Sequence, residues 1–204
     1  TEVFPELLQA NLYDEMVVAM RKNETLVREH YFEKQNIWFE TSAYPSMEGL
    51  FIYLRNITQR KKQETLLTLE KQVLEINARP SVMLHVTVNY FLEGIEKLFP
   101  GMRCSVLTLE DDRKTIRHLS APSLPFEFVK AVDGLKIGPA VGSCGTAMHR
   151  KEKVIVSDVM TDPLWVGACE MASELNFRAC WSFPILSATN EVLATIAAYY
   201  AYPK

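Results

Sequence analysis

The chain has 204 residues, enough for one large or two small domains, and 48% of them are hydrophobic, enough to bury a core. A net charge of −3 without a dominant basic run argues against nucleic-acid binding. No apolar run has the length of a membrane span and no signal peptide opens the chain, so the expectation is a cytoplasmic protein with no membrane contact.

The chain order begins with a helix over Ala10–Glu24, where Leu12, Met16 and Met20 repeat at i, i+4, i+8 and Val17 and Ala19 widen the stripe. Three strands follow, Leu26–Glu33, Ile37–Pro45 and Leu50–Ile57. The turns at Lys34-Gln35-Asn36 and Glu48-Gly49 are short, so the strands form an antiparallel meander. Trp38, Phe39, Phe51, Ile52, Tyr53 and Leu54 alternate through these strands, so some of them face solvent in a monomer.

Thr58–Asn77 reads as a connecting helix. Leu66, Leu69, Val73 and Ile76 step by 3, 4, 3, the a/d seam of a short coiled coil with charged flanks, and this predicts a homodimer. The other reading of the seam is a helix packed on its own chain. Pro80 interrupts the helix, and Val82–Phe99 is a second one, stopped by Pro100-Gly101. Cys104–Leu109 and Thr115–Ala121 form a hairpin, Pro125–Val132 a short helix, and Leu135–Ile137 a further short strand.

Gly142-Ser143-Cys144-Gly145-Thr146-Ala147 is a small-residue corner that can open a helix. Val154-Ile155-Val156 is a β-branched strand. Thr161-Asp162-Pro163 supplies a side-chain cap and a first-turn proline for another helix. Arg178–Leu186 and Val192–Ala201 close the pattern. The last is almost continuously apolar, so both of its faces are covered.

The order G-S-C-G-T-A, V-x-D-V, D-P-L-W, R-A-C-W-S-x-P-I resembles the GAF domains of bacterial signalling proteins, from about Leu66 to the C-terminus. The stretch Trp38–Lys62 resembles the back half of a PAS domain, with Asn56-Ile57-Thr58 where that family usually has Asp-Ile-Thr. These resemblances imply an α+β chain in three parts. Residues 1–58 are the C-terminal half of a PAS domain, 59–79 a helical linker, and 80–204 a GAF domain lacking its closing helix. The GAF part carries an antiparallel six-stranded sheet with flanking helices. One sheet face is covered by helices and the other carries a ligand pocket. The chain reads as a fragment of a longer protein whose output domain concerns cyclic-di-GMP turnover or is a histidine kinase.

No catalytic constellation and no metal-ligand spacing stands out. Four cysteines, Cys104, Cys144, Cys169 and Cys180, form no C-x-x-C pair, and the ordinary reading is four reduced, structural thiols. Cys144 beside a helix start is the most tempting nucleophile. GAF domains that reduce free methionine sulfoxide use a cysteine near the position of Cys169 and a partner about ten residues before Cys144. Gly134 stands at that partner position, which counts against reductase activity. No histidine has a cysteine neighbour for bilin attachment, and the N-K-x-F-D-E pattern of cyclic-nucleotide-binding GAF domains is absent. No cofactor is named by the sequence. The resemblance places Cys144, Trp165, Cys169, Phe177, Arg178 and Trp181 on the elements that enclose a small-molecule ligand. Aromatics with one basic group would suit a small anionic or planar molecule. The expected function is a sensory module, with a reductase and a ligand-free dimerisation module as alternatives.

Overall fold

The computed structural model describes residues 12–204. Residues 10 and 11 of the first predicted helix, and 1–9 of the predicted PAS remnant, lie outside the described residues. The chain divides into two compact units at Leu67/Thr68.

In the first unit, α1 (Leu12–Lys22) lies on a three-stranded meander of β1 (Leu26–Phe32), β2 (Ile37–Ser46) and β3 (Gly49–Asn56), ordered β1-β2-β3. Leu12, Met16 and Ala19 share one helix face and pack against Leu26, Ala43 and Leu50. The meander keeps apolar side chains in solvent, with Phe51 64%, Ile52 51% and Tyr53 65% exposed. The chain then enters α2 (Thr58–Asn77) through a fixed corner. The Asn56 side-chain oxygen accepts the Thr58 backbone N–H at 3.0 Å, and the Trp38 N–H donates to the Thr58 hydroxyl at 3.0 Å. Arg60, at 2.7 Å, and Lys61 both pair with Glu29 of β1. Lys61 first, then Arg60, hold the Glu29 carboxyl below its usual range.

The second unit is built on a five-stranded antiparallel sheet of order β5-β4-β8-β7-β6. Its strands are β4 (Met102–Leu109), β5 (Ile116–Ser120), β6 (Val154–Val156), β7 (Ala179–Leu186) and β8 (Val192–Tyr200). Alternation divides the central strands between two cores. Cys104, Val106 and Ala194 face α3 (Leu84–Leu98) around Leu92. Leu107, Ala197 and Tyr199 face α4 (Phe126–Val132), α5 (Gly142–Arg150) and α6 (Cys169–Glu174). Both faces of β8 are thus covered, as its apolar run requires. β6 pairs with β7 only over Val154–Val156 against Cys180–Ser182. Pro184, two residues on, has no N–H to extend that ladder.

One expectation changes. The sheet has five strands rather than six. The predicted strand Leu135–Ile137 makes a single bridge, Thr115↔Lys136, beside the start of β5. It is entered through Gly134 at φ +90 and followed by Pro139, which has no N–H to continue the ladder. At one position of the α2 seam, Leu69, the other reading of a helix packed on its own chain applies. Leu69 is 7% exposed and seats where a side chain on Gly94 of α3 would be, 2.5 Å from an added Cβ. The Tyr90 hydroxyl donates to Gln72 beside it at 3.0 Å. The missing side chain at Gly94 lets α2 and α3 approach closely.

Gly94→Leu should therefore displace Leu69. Amide exchange should speed up across residues 68–77 and stay unchanged in β4 and β8. Unchanged protection of 68–77 would show that the second half of α2 is held by something else.

Candidate functional site

The site starts at the Gly-Ser-Cys-Gly corner. Gly142 sits at φ +53, and a Cβ on Gly145 would lie 2.9 Å from Val141 Cβ and 3.4 Å from Ile116 Cδ1. Glycine at these two positions lets the start of α5 turn sharply and lie close to β5. The space left between α4, α5, α6 and the sheet is a cavity of about 100 Å³. Ile116, Phe128, Val132, Leu135, Trp165 and Met171 give it apolar walls. Ala131, Ala168, Gly142 and Gly145 leave the room, and Ser143, Cys144 and Tyr199 are its polar side chains.

Those three polar groups belong to one buried chain of hydrogen bonds. The Trp165 indole N–H donates to Ser143 Oγ at 2.8 Å, and the Ser143 hydroxyl donates to the Cys180 carbonyl at 3.4 Å. Cys144 Sγ lies 3.3 Å from Ser182 Oγ and 3.5 Å from the Tyr199 hydroxyl. The Tyr199 hydroxyl also lies 3.3 Å from Ser105 Oγ, and Cys180 Sγ lies 3.8 Å from Ser182 Oγ. The neighbouring Cys180 first, and then the hydrogen bonds from Ser182 and Tyr199, lower the Cys144 thiol against the opposing effect of burial. Burial, then the neighbouring Cys144, pushes Cys180 well up. Burial likewise pushes Cys104, on the far face of the sheet, up to about 12. All four cysteines are free.

Of the six residues expected to enclose a ligand, Cys144 and Trp165 line this cavity and the other four do not. Phe177 is buried behind the wall, edge-on to Phe128 at 5.1 Å. Cys169 turns its thiol to the Trp165 carbonyl at 3.0 Å. Arg178 pairs with Asp158 through two contacts, at 3.2 and 2.8 Å, and holds that carboxyl below its usual range. Trp181 falls on the opposite face of β7 from Cys180 and Ser182, its ring tilted against that of Tyr200 at 5.2 Å. Arg178 and Trp181 therefore do not line this cavity. Sequence reasoning missed Tyr199, Ser182 and Cys180. The signal available was the period-2 pattern, which puts Cys180 and Ser182 on one face and Trp181 on the other.

No acidic, basic or histidine side chain lines the cavity. Its positive features among the described residues are helix N-termini, chiefly that of α5, where no side-chain cap is present. A helix terminus contributes about 0.3–1 kcal/mol toward an anion, up to about 2 when partly buried. Burying an unpaired carboxylate costs several kcal/mol. Desolvation wins, and the cavity is an apolar one.

The GAF domain profile matches residues 83–204. The chain belongs to the GAF domain family. A curated relative, the methyl sulfide methyltransferase-associated sensor of Methanosarcina acetivorans, is 34% identical over 149 residues, covering 72% of this chain. The match spans 14% of that relative's length. Among solved structures, the GAF domain of a phosphoenolpyruvate-protein phosphotransferase from Coxiella burnetii shares the fold at a TM-score of 0.53 and 20% identity, covering 68% of this chain and 79% of its own. A free methionine-R-sulfoxide reductase from Neisseria meningitidis, solved with its substrate, gives a TM-score of 0.53 at 14% identity, covering 70% of this chain and 74% of its own. At such identities the likeness to both solved structures is one of fold. In this GAF domain, no group of three or more His, Cys, Asp or Glu that could hold a metal occurs among the described residues. No helix among the described residues is long and apolar enough to cross a membrane.

Ser143 accepts from a tryptophan that is 4% exposed and is itself 1% exposed. Ser143→Ala should leave the indole N–H unpaired and cost roughly 1–3 kcal/mol of stability. Chemical denaturation followed by tryptophan fluorescence reads this. A loss below about 0.5 kcal/mol would mean the bond contributes little.

Proposed function

We propose that this chain is a sensory module, and that its GAF cavity receives a small molecule whose presence is relayed to an output domain elsewhere in a longer protein. The observation that carries this reading is the cavity itself, an apolar space whose wall is continuous with the central strand of the sheet. Tyr199 of β8 lines the cavity on one face of the sheet. Its neighbours Ala198 and Ile196, on the other face, pack in the cluster around α3. α3 in turn carries Leu69 of α2 at Gly94. A ligand that shifts β8 or α5 therefore bears on the packing of α3 against α2.

In this reading residues 1–58 are the back half of a PAS domain, α2 belongs to the linker, and the output is cyclic-di-GMP turnover or a histidine kinase. The sensor name of the curated relative favours a signalling role. The module works as a homodimer. Leu67 and Leu74 of α2 are 64% and 69% exposed, and the meander exposes Phe51, Ile52 and Tyr53. Apolar surface of this kind favours association. A sulfoxide reductase is the weaker alternative. Gly134 replaces the partner cysteine, and a zwitterionic amino acid finds no charged side chain in the cavity.

Three measurements test the reading. Native mass spectrometry of the gently purified chain should show a retained small molecule, and adding that molecule to ligand-stripped protein should change amide exchange in α5 and in residues 68–77 together. Protection that changes at the cavity wall alone would remove the relay. Light scattering at tens of micromolar should find a dimer, and a monomer there would remove the dimeric mechanism.

A further inference from the structure

The chemistry of the cavity restricts what can enter it. Its Ser143, Cys144 and Tyr199 side chains are already joined to Trp165, Ser182 and Ser105 within the protein. Its remaining walls are carbon and sulfur: Ile116, Phe128, Val132, Leu135, Trp165 and Met171. Arg178, the basic group expected from the sequence to meet a ligand, is held by Asp158 and does not line the cavity.

A water molecule needs two to four polar partners to stay in such a space. With the polar side chains already engaged, water finds few side-chain partners there, and it fills the apolar lining without restoring its dispersion contacts. An occupant that restores those contacts gains from every wall. An ion would give up its hydration with no counter-charge to replace it. The volume of about 100 Å³ is comparable to, and somewhat smaller than, the roughly 150 Å³ apolar cavity that holds a benzene ring. Met171, with its flexible thioether, can adjust the wall to the shape of the occupant.

We propose that the GAF cavity takes a small uncharged molecule, apolar over most of its surface and of about four to eight non-hydrogen atoms. This rests on the reading of the cavity as the sensing site and names its ligand class. It departs from the anionic ligand that the sequence position of Arg178 suggests. The hydrogen-bonded Cys144 and Tyr199 give the occupant one polar edge to orient against, without supplying a charge.

The test is a titration of the methyl-labelled chain with benzene, acetone and acetate, followed by NMR. Acetone and acetate match in size and differ in charge. Benzene should move the methyl signals of Ile116, Val132 and Met171 saturably, with a dissociation constant of about a millimolar or below. Acetone should act at the same methyls, and acetate should bind them at least about tenfold more weakly than acetone. Ala168→Phe, at a half-buried wall position, should remove the benzene shifts while the rest of the spectrum stays that of a folded protein. Benzene shifts that survive this filling would place the probe elsewhere and overturn the proposal. Acetate binding as tightly as acetone at these methyls would overturn the uncharged class while the cavity remained a ligand site. No saturable shift with any of the three probes would overturn both the class and the sensing role of the cavity.

Discussion

Tyr199 is 1% exposed, so its hydroxyl has to find its partners inside the protein. Its ring packs against Phe128 at 5.3 Å and Phe177 at 5.2 Å, which ties β8 to α4 and to the segment before β7. Its hydroxyl reaches Ser105 on β4 and Cys144 on α5. One side chain thus joins the aromatic core to the polar chain that runs on through Ser182 and Cys180, with the Ser143–Trp165 bond alongside it. A buried network of this kind specifies one arrangement because each member left unpaired would carry a desolvation cost. The start of α5, the register of β7 against β8 and the seat of Trp165 are all set by it.

The cavity is the counterpart of that constraint. The start of α5 is held at the sheet by hydrogen bonds from small side chains, Ser143 and Cys144, and its later turns by Ala147 and Met148 in the core. Glycine at positions 142 and 145 and alanine at 131 and 168 then leave room where larger residues would close the core. The polar chain forms the inner edge of this space and the aromatic and aliphatic side chains form the rest. Ser143, Cys144 and Tyr199 thus serve the fold and the cavity wall at once.

The first unit is held differently. Its small core of Leu12, Met16, Ala19, Leu26 and Ala43 lies under a single helix. The entry to α2 depends on a polar corner of Asn56, Thr58 and Trp38 and on the charged cluster of Glu29, Arg60 and Lys61. Exposed ion pairs contribute little each and weaken with salt. The outer strand β3 keeps three large apolar side chains in water, a surface that another chain or segment could cover.

The sequence by itself determined the element order, the antiparallel meander, the helix pair and the small-residue corner, because each is encoded by local spacing and turn chemistry. Cys144 and Trp165, singled out in the sequence, both line the cavity, and the structure decided that by bringing Trp165 to Ser143. Period-2 alternation showed that Trp181 and Cys180 take opposite faces, but only pairing with β6 and β8 decided which face carries the cavity. Arg178 could have been a ligand group until Asp158, twenty residues earlier, was brought beside it. The seam of α2 named the residues that pack and not their partner, because an apolar stripe is equally satisfied by a second copy or by a neighbouring helix. Gly94, whose significance is invisible without the fold, settled that for Leu69. The sixth strand was reduced to one bridge by where β5 begins and by Pro139, which lacks a donor. In each case the local code fixed which atoms can pair, and tertiary distance decided which of them do.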